Sequence, residues 1–484
     1  MTFVSELQPA ALWSHFDTIL TIPRGSKHEE KARDFVTGIV DGAGLSYDVD
    51  AVGNVVARKP GTAGREGSPT VVLQAHLDMV QEKNSGTEFD FETDAIRPVM
   101  DGEYLKADGT TLGSDNGIGV AAMLAILESE DIAHGPLEFL FTIDEETGLT
   151  GAGGLAEDLL EGRLLINLDS EEEGVLTIGC AGGADTYLTL PVARSAADPG
   201  RAALAIRVEG MKGGHSGVDI HLQRGNAVRL LSRVLYGASL ESDFHLASIA
   251  GGNAHNAIPR EANAVIVCEA SDCEGIAGLL EAGLSAVGGE LATIDPGFSW
   301  TVEGVEAPAD AIDGSGTTRV LELLTALPHG VLGMSPDIEG LVETSTNLAV
   351  VAVETGAVKI LMSTRSSVMS ALVAVRQRIR AIGGLAGAEV AEKDGYPGWK
   401  PDVSSDVLAV MAEVYKSVTG EDAEVGAVHA GLECGIIGEK YPGMDMISFG
   451  PQIEFPHSPD ERVRVPSVEP FWRVLVATLE RLAA

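Results

Sequence analysis

Five acidic or imidazole side chains, His76, Asp115, Glu146, Asp169 and His457, sit at the ends of apolar, strand-like runs, and Asp78 and Glu145 stand beside two of them. VVLQA leads into His76-Leu77-Asp78, LEFLFTI into Asp144-Glu145-Glu146, and RLLINL into Asp169. Runs this apolar are expected as strands buried in a sheet. The charged residue where such a strand emerges then lies at the sheet's edge, facing a crevice. Hard and borderline donors gathered at such positions point to a shared metal site more than to separate solvated charges.

Strands alternating with helical patterns extend this to an α/β sheet. Residues 27–43 carry helical spacing and stop at Gly44; Asn116–Glu128 reads as a buried helix starting directly after Asp115. After Cys180–Gly183 the character changes: YLTLPVA and ALAIRVEG look like antiparallel strands, and a hairpin turns at ETG within residues 341–367. MSALVAVRQRIRAIGG then reads as an amphipathic helix ending at glycines. A strand–helix–strand pattern occurs about twice between residues 184 and 394, which suggests an internal structural duplication without a clear sequence repeat. From Tyr396 the α/β style returns. The expectation is a catalytic domain of residues 1–183 and 396–484 interrupted by an α+β domain of residues 184–395, since His457 is needed with the N-terminal ligands.

Length and charge narrow the class. A chain of 484 residues exceeds one typical domain. A net charge of −39 makes nucleic acid a poor partner, because phosphate binding needs clustered Lys and Arg. No apolar run is long enough for a membrane span, and the N-terminus has no signal-peptide pattern. The four scattered cysteines support neither a disulfide framework nor a zinc ribbon, in keeping with a reducing cytoplasm.

Three carboxylates and two histidines match a dinuclear site with one carboxylate shared between ions about 3.5–4 Å apart. Each residue has a plainer reading by itself. His76 and His457 are ordinary structural histidines, Asp115 is an N-cap, Glu145-Glu146 a solvated turn, and Asp169-Ser170-Glu171 the start of an acidic loop. Order and context favour the joint reading. Adjacent Glu145 and Glu146 cannot be told apart by spacing.

HLDMV, LGSDNGIG, DEETGLTGAGGL, NLDSEEEG, GGHSG and FPHSPDE follow one another through nearly the whole chain. In that order they resemble the aminoacylase/carboxypeptidase-like family of dinuclear zinc peptidases, and within it the aminoacyl-histidine dipeptidase group, peptidase D. The resemblance implies a mixed-sheet catalytic domain interrupted by a lid. It implies that His76 and Asp169 hold one zinc, Glu146 and His457 the other, and that Asp115 bridges both through a cis-like Asp115-Asn116 peptide. It gives Asp78 the task of orienting His76, and Glu145 that of general base. His215, otherwise a polar turn residue, would stabilise the oxyanion. Arg365, otherwise a surface ion-pair residue, would grip the substrate carboxylate. Asn256 and the segment His429–Glu433 with Gly431 look like further substrate contacts, although His255 and His429 have purely structural readings.

The leading expectation is a cytoplasmic metallo-dipeptidase, monomer or homodimer, with two divalent ions, zinc first and Co or Mn as alternatives. It would cleave unblocked dipeptides, Xaa-His and β-alanyl-His among them, with lid closure bringing His215 and Arg365 to the metals. An N-acyl amino acid deacylase or carboxypeptidase on the same scaffold is the alternative; the doubled-looking middle domain favours the dipeptidase. A non-enzymatic relic would be expected to lose Glu145, which this chain keeps.

Overall fold

Val71–His76 and Leu137–Thr142 are buried at every position, as expected for strands covered on both faces. The structure, a computed structural model, describes residues 2–196 and 200–484. Among these, an eight-stranded sheet has a parallel centre: Leu137–Thr142, Val71–His76, Leu164–Asn167 and Asp445–Ser448 lie side by side in that order. Their registers align His76 with Thr142, Gln74 with Asn167, and Asn167 with Ser448. All four strands therefore release their loops at one edge, where ligand sites of parallel sheets form. The helix Ser114–Glu128 is buried nearly all round and packs on the Val71–His76 strand and on helix Ala10–Ile19.

Asp115 departs from the strand-end expectation. It lies in the first turn of that helix, and Gly113, not Asp115, occupies the N-cap. His457 likewise belongs to a loop, carried by a small four-stranded sheet in which Ile453–Glu454, Arg462–Arg464, Tyr104–Ala107 and Pro98–Asp101 are neighbours in that order.

The chain divides into two compact units, Met1–Gly179 with Trp399–Ala427 and Leu432–Ala484, and Cys180–Gly398 with Val428–Gly431. The boundaries differ from those read in the sequence by a few residues and by one short segment. Backbone bonding is the reason. Ala181 N donates to Val428 O and Ala430 O, and Gly183 and Tyr396 exchange two bonds, so these stretches belong with the second unit.

The second unit holds a nine-stranded sheet. Ala202–Glu209, helix Ala227–Ser239, His245–Gly251, Ala262–Cys268, helix Cys273–Leu291 and Ser299–Val305 form one βαββαβ module. Gly182–Pro191, helix Gly314–Ala326, Val342–Glu354, Ala357–Ser366, helix Met369–Ala386 and Glu389–Glu392 form another. In each, the strands stand fourth, first, third, second across the sheet, and the two second strands join the modules at Ala250–Ala352 and Gly251–Val351. The first module is inserted after the first strand of the other. That is why YLTLPVA and ALAIRVEG, though consecutive, do not pair: the former pairs with Ala357–Ser366 and Glu389–Glu392, the latter with Ala262–Cys268 and Ser299–Val305. Leu231, Leu280, Leu321 and Ile379, one from each helix, share a single core.

Candidate functional site

Asp78 ties two loops of the first unit together. His76 Nδ1 lies 3.3 Å from Asp78 Oδ1, while Glu145 N and Glu146 N donate to Oδ1 and Oδ2 at 3.0 and 3.2 Å. Ser26 Oγ donates to Oδ2 as well. The turn that aims these amides passes through Asp144 at φ 48°, a conformation Asp tolerates better than most residues. Its carboxylate takes the hydroxyls of Thr147 and Thr150, and its N–H donates to Glu29. Phe455 and His457 are also left-handed, at φ 55° and 59°, so the loops bearing Glu146 and His457 carry backbone strain of about 1–3 kcal/mol per left-handed residue.

The five proposed ligands converge. His76 Nε2 is 3.0 Å from Asp115 Oδ1 and 3.2 Å from Asp169 Oδ1. His457 Nε2 is 3.1 Å from Asp115 Oδ2 and 2.9 Å from Glu146 Oε2. Asp115 thus gives one oxygen to each of two donor sets, His76–Asp115–Asp169 and Asp115–Glu146–His457. The Asp115-Asn116 peptide bond is cis, and Asn116 Nδ2 donates to Asp169 Oδ1. Glu146, not Glu145, belongs to the His457 set; Glu145 stands near His76 and Glu146.

A divalent cation fits each set better than a proton does. Ligands about 2.0–2.2 Å from tetrahedral zinc are about 3.3 Å apart, close to the separations here. Each Nε2 faces two carboxylate oxygens, but one N–H points well at only one. Glu146 Oε1 is buried without a hydrogen-bond partner. The Glu29–Asp78–Asp144 cluster, by contrast, lacks any imidazole.

The electrostatics carry the same imbalance. Burial would raise Asp115, but its hydrogen bonds to His457 and His76 hold it far below the usual carboxylate range. Burial also opposes Asp78, yet His76 and the Glu145 amide bring it down to about 2. Asp115 and Glu146 lift His457 to about 11. Glu145 is pushed well above its ordinary value by burial, with Asp169, Glu146 and Glu433 adding to the effect against His76. A potential that holds protons this firmly also attracts divalent cations.

Behind the donor sets lies Glu433, which sequence reading grouped with substrate contacts. It is buried in the first unit, accepts from Gln74 Nε2 and Thr142 Oγ1 at 2.6 Å each, and is lifted by burial to about 7.

The second unit brings His215, Arg365 and Gly431 to one cluster. Gly213 and Gly214 (φ 65° and 139°) turn the chain into His215, whose Nδ1 accepts from Gly217 N and Val218 N at 3.3 and 3.1 Å. Neutral His215 therefore carries its proton on Nε2. Arg365 Nη2 lies 3.4 Å from that atom, and Nη1 donates to Tyr396 Oη at 2.8 Å. Arg365 is buried rather than a surface residue, its Nε has no partner, and Asp185 acts on it electrostatically without forming an ion pair. Gly431 packs against Tyr396: a Cβ there would stand 2.9 Å from the ring. A Cβ on Gly217 would meet His429 O, His215 and Arg365. His429 is pushed down to about 3 by burial and by Arg365 and His215, and its Nε2 meets Ser345 Oγ at 2.8 Å. Asn256 is exposed, and its carbonyl takes the Ser216 N–H beside His215; both His215 and Asn256 line a cavity of about 930 Å³. Exposed His255 pairs with Asp185 at 3.3 Å.

Tyr396 and Gly217 escaped the sequence reading. The glycine-rich KGGHSG run was the available signal for Gly217; Tyr396 offered only its place in YPGW.

The sequence profile of peptidase family M20/M25/M40 matches residues 72–481, a span that contains every residue of both donor sets. The chain belongs to this peptidase family. It is 42% identical over 484 residues to the cytosol non-specific dipeptidase of Escherichia coli K12, covering all of both chains. The crystal structure of aminoacylhistidine dipeptidase from Vibrio alginolyticus superposes with a TM-score of 0.92 at 43% identity, covering 99% of this chain and 98% of that one. The aminopeptidase PepT of Bacillus cereus shares the fold, with a TM-score of 0.62 at 18% identity and coverage of 99% and 100%. Within the described residues no helix is long and apolar enough to cross a membrane.

Proposed function

We propose that this M20-family chain is a cytoplasmic dipeptidase that hydrolyses unblocked dipeptides, Xaa-His and β-alanyl-His among them, with two divalent ions, zinc by preference. The observation that carries this reading is Asp115, whose two oxygens serve two His–carboxylate sets. The names of the two full-length relatives support the substrate class.

His76 and Asp169 would hold one ion, Glu146 and His457 the other, with Asp115 common to both. When bound, the pair would acidify water and polarise the scissile carbonyl. Glu145 takes the proton of the attacking water and gives it to the amine leaving as the C–N bond breaks. Its raised affinity for a proton, caused first by burial, suits a group that must hold one between the two steps. Asp78 fixes His76 through Nδ1 and anchors the Glu145–Glu146 amides, so acid–base group and ligands share one support.

In the second unit, Arg365 is the proposed receptor for the substrate's terminal carboxylate. A buried guanidinium with only Asp185 acting on it, and no direct ion pair, gains from an anion that joins it. His215, with its proton on Nε2, is the proposed donor to the carbonyl oxygen as it becomes an oxyanion. Asn256 and Gly431 complete the substrate side, Gly431 by leaving room for Tyr396.

The test is a panel of dipeptides, tripeptides and N-acyl amino acids, assayed with the metal-reconstituted protein. Unblocked dipeptides are expected to be the best substrates. Faster cleavage of N-acyl amino acids would move the assignment to a deacylase.

A further inference from the structure

A shared carboxylate holds two ions in register only if its own loop is fixed, and the loop bearing Asp115 cannot fix itself. Gly113 is left-handed at φ 74°, and Asp115 and Asn116 have non-helical dihedrals inside the helix start. The first N–H groups of a helix have no partner within it. Here Glu461, fully buried, collects them. Its Oε2 accepts from Leu112 N and Gly113 N at 2.8 and 2.9 Å. Its Oε1 accepts from Ser114 N, Ser114 Oγ and Asp115 N at 2.7, 2.6 and 3.3 Å. Glu461 follows His457 by four residues, so the same side chain pins the His457 loop to the Asp115 loop.

Arg24 makes the complementary connection. Buried in the first unit, it donates from Nη2 to Gly113 O, and from Nη1 to Leu77 O and Asp78 O at 3.0 and 2.7 Å. The Asp115 loop is thereby held to the segment that follows His76. Arg24 and Glu461 also carry opposite charges in the same buried region.

We propose that Glu461 and Arg24 are positioning residues that lock the His76–Asp78, Asp115 and His457 loops into one frame and thereby set the affinity of both metal sites. The proposal rests on the two-metal reading of the donor sets. A carboxylate is required at residue 461 because both oxygens face donors; an amide would turn its NH₂ toward one of the two groups of N–H. Arginine is required at residue 24 because three carbonyls are reached from two nitrogens, a fork that an ammonium does not reproduce.

The experiment is a stepwise zinc titration of the metal-free protein against a chromophoric chelator, with thermal unfolding of each metal-free variant alongside. Wild type should bind two ions; fewer would overturn the two-metal reading and not the frame. Glu461→Gln and Arg24→Lys should each weaken both ions by about tenfold or more, as removal of supporting partners does at metal sites. Leu475→Ala, a cavity in the helix Val465–Leu482 of the same unit, should lower unfolding temperature without changing zinc affinity. Wild-type affinities in Glu461→Gln, or equal weakening in Leu475→Ala, would overturn the proposal. Should Glu461→Gln not fold, Ser114→Ala decides, because it removes one of the five donors: about threefold weakening is expected, and unchanged affinity rejects the frame.

Discussion

The two units hold buried polar clusters of opposite sign. In the first, five carboxylates (Asp78, Asp115, Glu145, Glu146 and Asp169) face two imidazoles. In the second, the buried Arg365 stands beside the Nε2 of His215 and the hydroxyl of Tyr396, and Asp185 acts on it electrostatically without forming an ion pair. Buried charge is tolerated when paired, so each surplus supports the binding proposed for its cluster: cations in the first, an anion in the second. The strain is also uneven. Asp144, Phe455 and His457 hold left-handed backbone around the anionic cluster, whereas glycines take those angles beside His215.

Variants that separate the clusters test this contrast. The largest effect is expected for Glu145→Gln, which keeps the donor sets and removes the base: kcat should fall about 10³-fold with metal content unchanged, read by turnover and elemental analysis. Loss of bound metal in this variant would make Glu145 a ligand instead. Arg365→Met should lower kcat/KM by about 10²-fold for dipeptides at full metal content. Dipeptide amides should not feel that substitution; an equal loss on amides would detach Arg365 from the carboxylate. Asp78→Asn acts on the other cluster, and zinc affinity should fall about 10–100-fold in a chelator titration. Gly431→Ala should be mildest, raising KM a few-fold by crowding Tyr396, at about 1–3 kcal/mol of stability.

Three members of the anionic cluster were legible in the chain because a charged residue ends an apolar strand-like run, as Asp169 does after RLLINL, whereas Asp115 sits in a helix start and His457 in a loop. Spacing could not separate Glu145 from Glu146; that distinction depends on where His457 arrives, and it arrives from 311 positions away at Glu146 Oε2. Glu461 and Arg24 were missed for the same reason. Apart from the Ser114 hydroxyl on Glu461, their partners are backbone atoms of remote loops, and backbone acceptors and donors leave no residue-type signature. The cationic cluster was legible at His215 and Arg365 only through resemblance, and Tyr396 remained hidden because its role is set by strand register across Gly183. The boundary at residues 428–431 was hidden likewise, in bonds from Ala181 N to Val428 O and Ala430 O.

Anomalous-scattering density from crystals reconstituted with zinc tests the shared role of Asp115 most directly. The account predicts two peaks about 3.5–4 Å apart, one on each oxygen of Asp115, with His76–Asp169 and Glu146–His457 on opposite sides. A single peak, or two peaks that do not share Asp115, would contradict it.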